Sequence, residues 1–356
     1  MDSSKDVSGV YQTLGGHRAT SVSQRRGELS SRNKAGPRSV TAGGDQTGIS
    51  TGEFGALSAG DSEDPYFVFL RERADRLFYR RLYPGNAGDS LIQFATERIL
   101  QDLGIRTTVD PREADVILIP GGNPTMWPKI GPQAWRTLSA RYPRAELVVG
   151  PAGFRNGDSD WADVVNDAGS TVTGLFARDP DSFHVLNTAG LRNGISYALS
   201  HDPVLHLRHS EWIAAHRRAG TEDHDLLAFR DDHEANSLGR RAWRMIRAVR
   251  PSGLRSALIR YIGARARAQK AKYARDELGA GSVVPVLQQD ISSSRFEVFI
   301  ETVRASRTVH TDRLHVMLTA VLLGKKVFAY PTSHAKLEGV LAHSLAGWTD
   351  VTFVEM

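Results

Sequence analysis

From Pro65 onward, short runs of consecutive apolar residues alternate with stretches in which apolar residues recur every three or four positions. The first pattern fits strands buried on both faces, the second fits helices laid over them. Residues 115–120 (DVILIP) and 146–149 are runs of the first kind. They end in Gly121-Gly122-Asn123-Pro124 and Gly150-Pro151-Ala152-Gly153. Residues 78–83 form another expected strand, closed by the loop Pro84-Gly85-Asn86-Ala87-Gly88-Asp89. A helix is expected from about Ser90 to Leu103, with Leu91, Phe94, Ala95 and Ile99 on one face and Gly104 as its stop. Residues 171–178 and the Asp202-Pro203 stretch close this half. In the second half, residues 226–230, 282–287, 308–310 and 326–330 read as strands. Residues 313–323 read as a helix capped by Thr311 or Asp312 and stopped by Gly324. The pattern predicts an α/β protein of two halves facing each other across a cleft, at 65–205 and 206–356. Ligands are expected outside the carboxyl ends of the strands, where the glycine-rich loops lie.

Two segments break this pattern. Residues 1–64 are rich in Ser, Gly, Thr and Arg and have no apolar periodicity, so a disordered tail is expected there. Between Arg240 and Arg275 stand ten Arg and two Lys with no Asp or Glu. That exceeds the whole net charge of +5, so the rest of the chain is acidic on balance. This basic arm, at about 239–277, reads as two helices broken at Pro251-Ser252-Gly253. Its Trp243, Ile246, Leu254, Leu258, Ile259 and Ile262 could dip into an anionic membrane surface while the arginines meet head groups. A helical hairpin packed between the domains would account for the same residues. No nucleic-acid recognition motif accompanies the charge, so a nucleic-acid partner is not expected.

The 356 residues include no Cys, which excludes disulfides, thiolate metal sites and a cysteine nucleophile. No apolar run approaches the roughly 18 residues of a membrane span. Arg25-Arg26 is followed by no apolar stretch, so a cytoplasmic protein is expected, with the inner face of the membrane as a further station through the arm. HExxH is absent and the histidines lack carboxylates at metal-site spacing, so no metal site is read. Ser292-Ser293-Ser294 lacks the strand-turn-helix setting of a nucleophile elbow.

The candidate chemistry gathers at strand ends. Asn86, Gly88 and Asp89 open a helix whose free N–H groups suit an anion, and Gly121, Gly122 and Asn123 form a similar turn. Tight turns with no ligand would look the same. Thr311-Asp312-Arg313-Leu314-His315 puts an Arg and a His in a first helical turn. Arg313 can grip a phosphate or carboxylate with two parallel hydrogen bonds, and His315 can transfer a proton near neutral pH. A capped helix with a surface Arg and a packed His is the plain alternative. Arg178 and Arg230 end strands, and Lys336 follows Tyr330. Each could meet an anionic ligand, or could pair with nearby acids such as Asp179, Asp232 and Glu234.

Together GNAGDSLI at 85–92, DVILIPGG at 115–122, FARD at 176–179 and TDRLHVMLTAVLLGKKVFAY at 311–330 resemble the polysaccharide pyruvyl transferase family over roughly residues 65–356. The resemblance implies two Rossmann-like halves similar to the glycosyltransferase B architecture. It also implies transfer of the enolpyruvyl unit of phosphoenolpyruvate onto a sugar as a cyclic ketal, with release of phosphate and no cofactor. The acceptor would belong to a cell-surface or exopolysaccharide, or to its lipid-linked precursor. The family's Arg-Leu-His element matches Arg313, Leu314 and His315, implying donor binding and acid catalysis, and its Arg at a strand end in the second half matches Arg230. The family's triple glycine is Gly121-Gly122-Asn123 here, a departure that bears on the acceptor. A glycosyltransferase of similar shape using a nucleotide sugar is the alternative enzyme, and a silent scaffold in a polysaccharide assembly is the non-catalytic one.

Overall fold

Val116–Ile119, four apolar residues without a polar break, is buried at every position and forms the centre of a parallel sheet. The computed structural model describes residues 39–41, 64–126, 131–155, 160–218, 221–230, 252–278, 284–332 and 336–355. Among them, in chain order, lie β1 (Ser39–Thr41), α1 (Pro65–Arg71), β2 (Phe78–Arg80), α2 (Ala87–Asp102), β3 (Thr107–Thr108), β4 (Val116–Ile119), α3 (Pro132–Arg141), β5 (Glu146–Ala152), α4 (Trp161–Asn166), β6 (Val172–Ala177), α5 (Pro180–Thr188) and β7 (Ser196–Leu199). A 3₁₀ turn at Pro203–His209 follows. Then come α6 (Glu211–Arg218), β8 (His224–Ala228), α7 (Ser252–Leu278), β9 (Val286–Gln288), α8 (Phe296–Arg304), β10 (Ser306–Thr311), α9 (Leu314–Leu322), β11 (Lys326–Ala329), α10 (Lys336–Ser344) and β12 (Val351–Val354).

The first sheet runs β3-β2-β4-β5-β6-β7 and is parallel throughout. The second runs β1-β12-β11-β10-β8-β9, parallel except for β1. Counted within each half, the first follows the doubly wound order 2-1-3-4-5-6 and the second 2-1-3-4-5, with β1 added beyond β12. That order has its switch point between the first and third strands, β2 and β4 in one half and β8 and β10 in the other. This is the expected α/β class, with two Rossmann-like halves.

One apolar core joins the halves. Ala87, Leu91, Ile92 and Ala95 of α2 share it with Val204, Leu205 and Leu207 of the 3₁₀ turn and with Leu314, Met317 and Val321 of α9. The other side of α2, at Ile99 and Leu100, packs on β2 and β4 with Phe78, Val116 and Leu118. In α9 every residue except His315 is buried, as an all-apolar helix requires.

Several boundaries differ from expectation. Helix α2 begins at Ala87 because Asn86 caps it: Asn86 Oδ1 accepts from the N–H groups of Gly88 (2.8 Å) and Asp89 (3.2 Å), and Asp89 Oδ2 accepts from Asn86 N–H (3.0 Å). Strand β5 continues through the expected turn to Ala152, which bridges to Gly122. Neither Thr311 nor Asp312 caps α9; Arg313 occupies that position. Thr311 instead donates to Ala228 O (2.8 Å) and accepts from Arg313 N–H (3.0 Å).

The tail and arm also differ. Asp64, expected in the tail, belongs to the fold: its buried carboxylate caps α1 and accepts from Ser200 Oγ (2.6 Å) and His201 N–H (3.0 Å). Ser39–Thr41 pairs antiparallel with β12, covering that sheet edge. The remaining residues before Asp64 lie outside the described residues. So do residues 231–251 of the basic arm, with Trp243, Ile246 and the expected break at Pro251. The later part is the single 27-residue α7. Lys270 Nζ, 5% exposed, donates to Asp312 Oδ2 (2.7 Å) and Pro331 O (2.7 Å), while Ala271 and Ala274 pack with Phe229 and Tyr330. This end of the arm is docked on the domain. Its exposed positions include Leu254, Tyr261, Arg260, Arg265 and Lys272.

Candidate active site

The two switch points supply the candidate residues. In the first half, Tyr83 and Asn86 follow β2 and Gly121-Gly122-Asn123 follows β4. In the second, Arg230 follows β8 and Asp312-Arg313 follows β10. Parallel strands end together, so these loops crowd at one edge of each sheet.

Gly121 and Gly122 have φ of 125° and 92°, a region that favours glycine. Here the chain also passes close to its neighbours: a Cβ on Gly121 would lie 2.3 Å from Pro151 O, and one on Gly122 would lie 3.0 Å from the Tyr83 hydroxyl. That hydroxyl donates to Gly121 O (3.1 Å). Burial, together with the nearby Asp89 and Asp202 carboxylates, pushes its pKa up, while Arg178 opposes them. Tyr83 therefore stays neutral and serves as a fixed donor.

Asn123 turns its Oδ1 toward Arg178 Nη2 (3.1 Å), and Arg178 Nη1 donates to Asp202 Oδ2 (3.0 Å). Both charged side chains are buried, Arg178 at 2% and Asp202 at 0% exposure. The partner of Arg178 is thus Asp202 from beyond β7. Its neighbour Asp179 caps α5, accepting from the N–H and hydroxyl of Ser182 (both 2.8 Å). The same Asp202 Oδ2 lies 3.6 Å from His315 Nε2. Burial pushes the Asp202 carboxyl up, but the His315 imidazole and the Arg178 guanidinium overcome it and hold the pKa below the ordinary value.

His315, in the first turn of α9, lies against Gly88 in the first turn of α2. A Cβ on Gly88 would stand 2.5 Å from His315 Nδ1. The structure therefore brings Asn86, Gly88, Asp89, Gly121, Gly122, Asn123, Arg178 and His315 into one neighbourhood. Asn86 and Asp89 spend hydrogen bonds on each other and on the α2 N-terminus, so the N–H groups of Gly88 and Asp89 already have an acceptor. Leu314, 7% exposed, is a core residue.

Arg313 precedes the helix, and its Nη2 is paired with Asp290. Arg230 is held by its backbone, whose N–H donates to Asp312 Oδ1 (2.8 Å); Asp232 and Glu234 lie outside the described residues. Asp312 thus sits between the Arg230 N–H and the Lys270 ammonium. Burial raises its pKa against the pull of Lys270. Lys336 opens α10 and is buried there. Sequence reasoning missed Asp202 and Tyr83. Their signal was positional: each follows an extended segment near a proline, where a strand's carboxyl edge would fall.

Residues 86–334 match the sequence model of the polysaccharide pyruvyl transferases. The chain belongs to that family. As a polysaccharide pyruvyl transferase it is a transferase acting on polysaccharide, and its matched region runs from the Asn86 cap through β11. No curated protein matches the chain in sequence. Among solved structures, an uncharacterised protein of Klebsiella pneumoniae is similar at 16% identity and a TM-score of 0.54, over 82% of this chain and 97% of that one. That likeness is one of fold. HepE of Anabaena, solved with UDP and glucose, is similar at 14% identity and a TM-score of 0.32, over 71% of this chain and 80% of that one. None of the described helices is long and apolar enough to cross a membrane.

Proposed function

We propose that the chain transfers the enolpyruvyl unit of phosphoenolpyruvate to two hydroxyls of a saccharide, giving a cyclic pyruvate ketal and inorganic phosphate. The observation that carries this reading is His315 itself, the one residue of α9 left partly open, at a strand-end site with a buried Arg178–Asp202 pair behind it. A doubly anionic donor needs cations and a proton source. Arg313 and Arg230 are the residues proposed to bind it, and His315 the acid. His315 gives a proton to C3 of the enol, and a sugar hydroxyl adds at C2 and returns a proton to the imidazole. Phosphate then leaves with the C–O bonding pair. The second hydroxyl closes the ketal, its proton passing to phosphate, so no oxidant, metal or organic cofactor enters the balance.

The acceptor is proposed to be carried on lipid at the inner membrane face, met by the exposed basic side of α7 in a cytoplasmic enzyme. Support for this is the pairing of Arg260, Arg265 and Lys272 with exposed Leu254 and Tyr261.

The deciding experiment combines a donor panel with product analysis. Phosphoenolpyruvate should raise the melting temperature where nucleotide diphosphate sugars do not. Incubation with saccharide acceptors should release phosphate and yield a ketal visible by mass spectrometry. Stabilisation by nucleotide sugars, with glycosyl transfer, would replace this reading with the glycosyltransferase one.

A further inference from the structure

A buried carboxylate is costly unless its lone pairs are used, and each partner of Asp202 has a separate purpose. Its Oδ1 accepts from Val204 N–H (3.1 Å), fixing the turn that follows β7. Its Oδ2 takes Arg178 at 3.0 Å and faces His315 Nε2 at 3.6 Å. Nε2 is buried and has no hydrogen-bond partner within 3.5 Å among the described residues, so this carboxylate is the acceptor placed to receive its proton. The opposite ring edge, with Nδ1, is packed against Gly88, in the space that a Cβ there would take. The first half thus sets a carboxylate facing one nitrogen of a second-half histidine, and Gly88 against the other.

We propose that Asp202 is a positioning residue for pyruvyl transfer: it fixes the His315 proton on Nε2, so that Nδ1 is the nitrogen that exchanges a proton with the reactants. Arg178, oriented by Asn123, holds the carboxylate in place and keeps it ionised. The arrangement follows the logic by which an aspartate selects the tautomer of a catalytic histidine. It also offsets the disadvantage of a cationic imidazole at a helix N-terminus, because the buried anion lies beside it. Tyr83 and Asp89 share the surroundings of Arg178 and Asp202, and the Arg313–Asp290 pair lies just ahead of α9. The consequence for turnover rests on the function proposed above; the tautomer does not.

The test is ¹⁵N NMR of ring-labelled histidine in the full chain, with turnover measured on the same preparations. His315→Gln identifies the His315 signals. In the native chain, neutral His315 should show Nε2–H, and in Asp202→Asn a measurable share of that proton should move to Nδ1. Turnover should fall roughly 10²–10⁴-fold with little change in donor affinity. Because Asp202→Asn leaves Arg178 buried without its counter-charge, the pair Asp202→Asn with Arg178→Met keeps the measurement possible if the single variant unfolds. Neutral His315 carrying its proton on Nδ1 in the native chain, or an unchanged tautomer in a folded Asp202→Asn variant, overturns the inference. If the spectra come out as expected but no pyruvyl transfer is found, the functional reading fails and the role of Asp202 toward His315 stands.

Discussion

Gly88 shows how one missing side chain shapes the site. Its backbone is helical, where alanine is favoured by about 1 kcal/mol, yet the Cβ of alanine would come within 2.5 Å of His315 Nδ1 and 2.9 Å of its Cβ. In Gly88→Ala the fold should survive and the imidazole should be displaced. Turnover should then drop roughly 10²-fold, the scale of a 1 Å misplacement, while the melting temperature moves little. Unchanged turnover would mean that the ring has no fixed working position. His310, on β10, is a different histidine. It is fully buried, stacked on Phe328 with ring centres 4.6 Å apart, and its Nδ1 lies 2.8 Å from the Tyr330 hydroxyl. Burial lowers its pKa from 6.5 to about 4. The unfolded chain therefore takes up this proton first as pH falls. The stabilisation is complete above pH 6.5 and is lost progressively down to about pH 4, amounting to about 3 kcal/mol. Urea unfolding of the native chain and of His310→Gln should show a smaller loss between pH 7 and 5 in the variant. Parallel pH curves would place the acid sensitivity elsewhere.

At the scale of elements, a buried ion pair ties α7 to the turn just after β10. The charge run marks α7 as basic, but only the fold shows that Lys270 is turned inward onto Asp312, one residue before Arg313, while other basic residues of the helix face outward. Lys270→Met would leave the fully buried Asp312 with the Arg230 N–H and without the ammonium paired to it. A loss of about 3–5 kcal/mol in urea unfolding is expected, most of it recovered by adding Asp312→Asn. If Lys270→Met costs less than a surface substitution, the helix is not anchored through this pair. Helix α2 shows the same division between pattern and placement. Its apolar spacing is legible, and so is the stop at Gly104. That its Ala87–Ala95 face is buried against α9 of the other half and the 3₁₀ turn between the halves is a tertiary fact, since spacing names a buried face and not its partner.

At the scale of the whole molecule, exposed α7 carries the proposed membrane contact. Liposomes holding anionic lipid should co-sediment with the full chain, and the binding should weaken as salt rises. Equal binding to neutral liposomes, or none, would reject it. The two-sheet architecture was legible because parallel strands buried on both faces leave continuous apolar runs ending in glycine turns, a local signal that needs no partner to be read. Arg313 and His315 were legible for the same reason: they follow a strand and open a helix. What the chain alone left open were the pairings. Arg178 stands beside Asp179 in sequence but pairs with Asp202, Asp312 reaches Lys270 across 42 positions, and His315 meets Gly88 from the opposite half. Periodicity and capping are fixed within a few residues along the chain. Charge pairing and close approach depend on which strand ends the folded sheets bring together, and only the tertiary structure decides that.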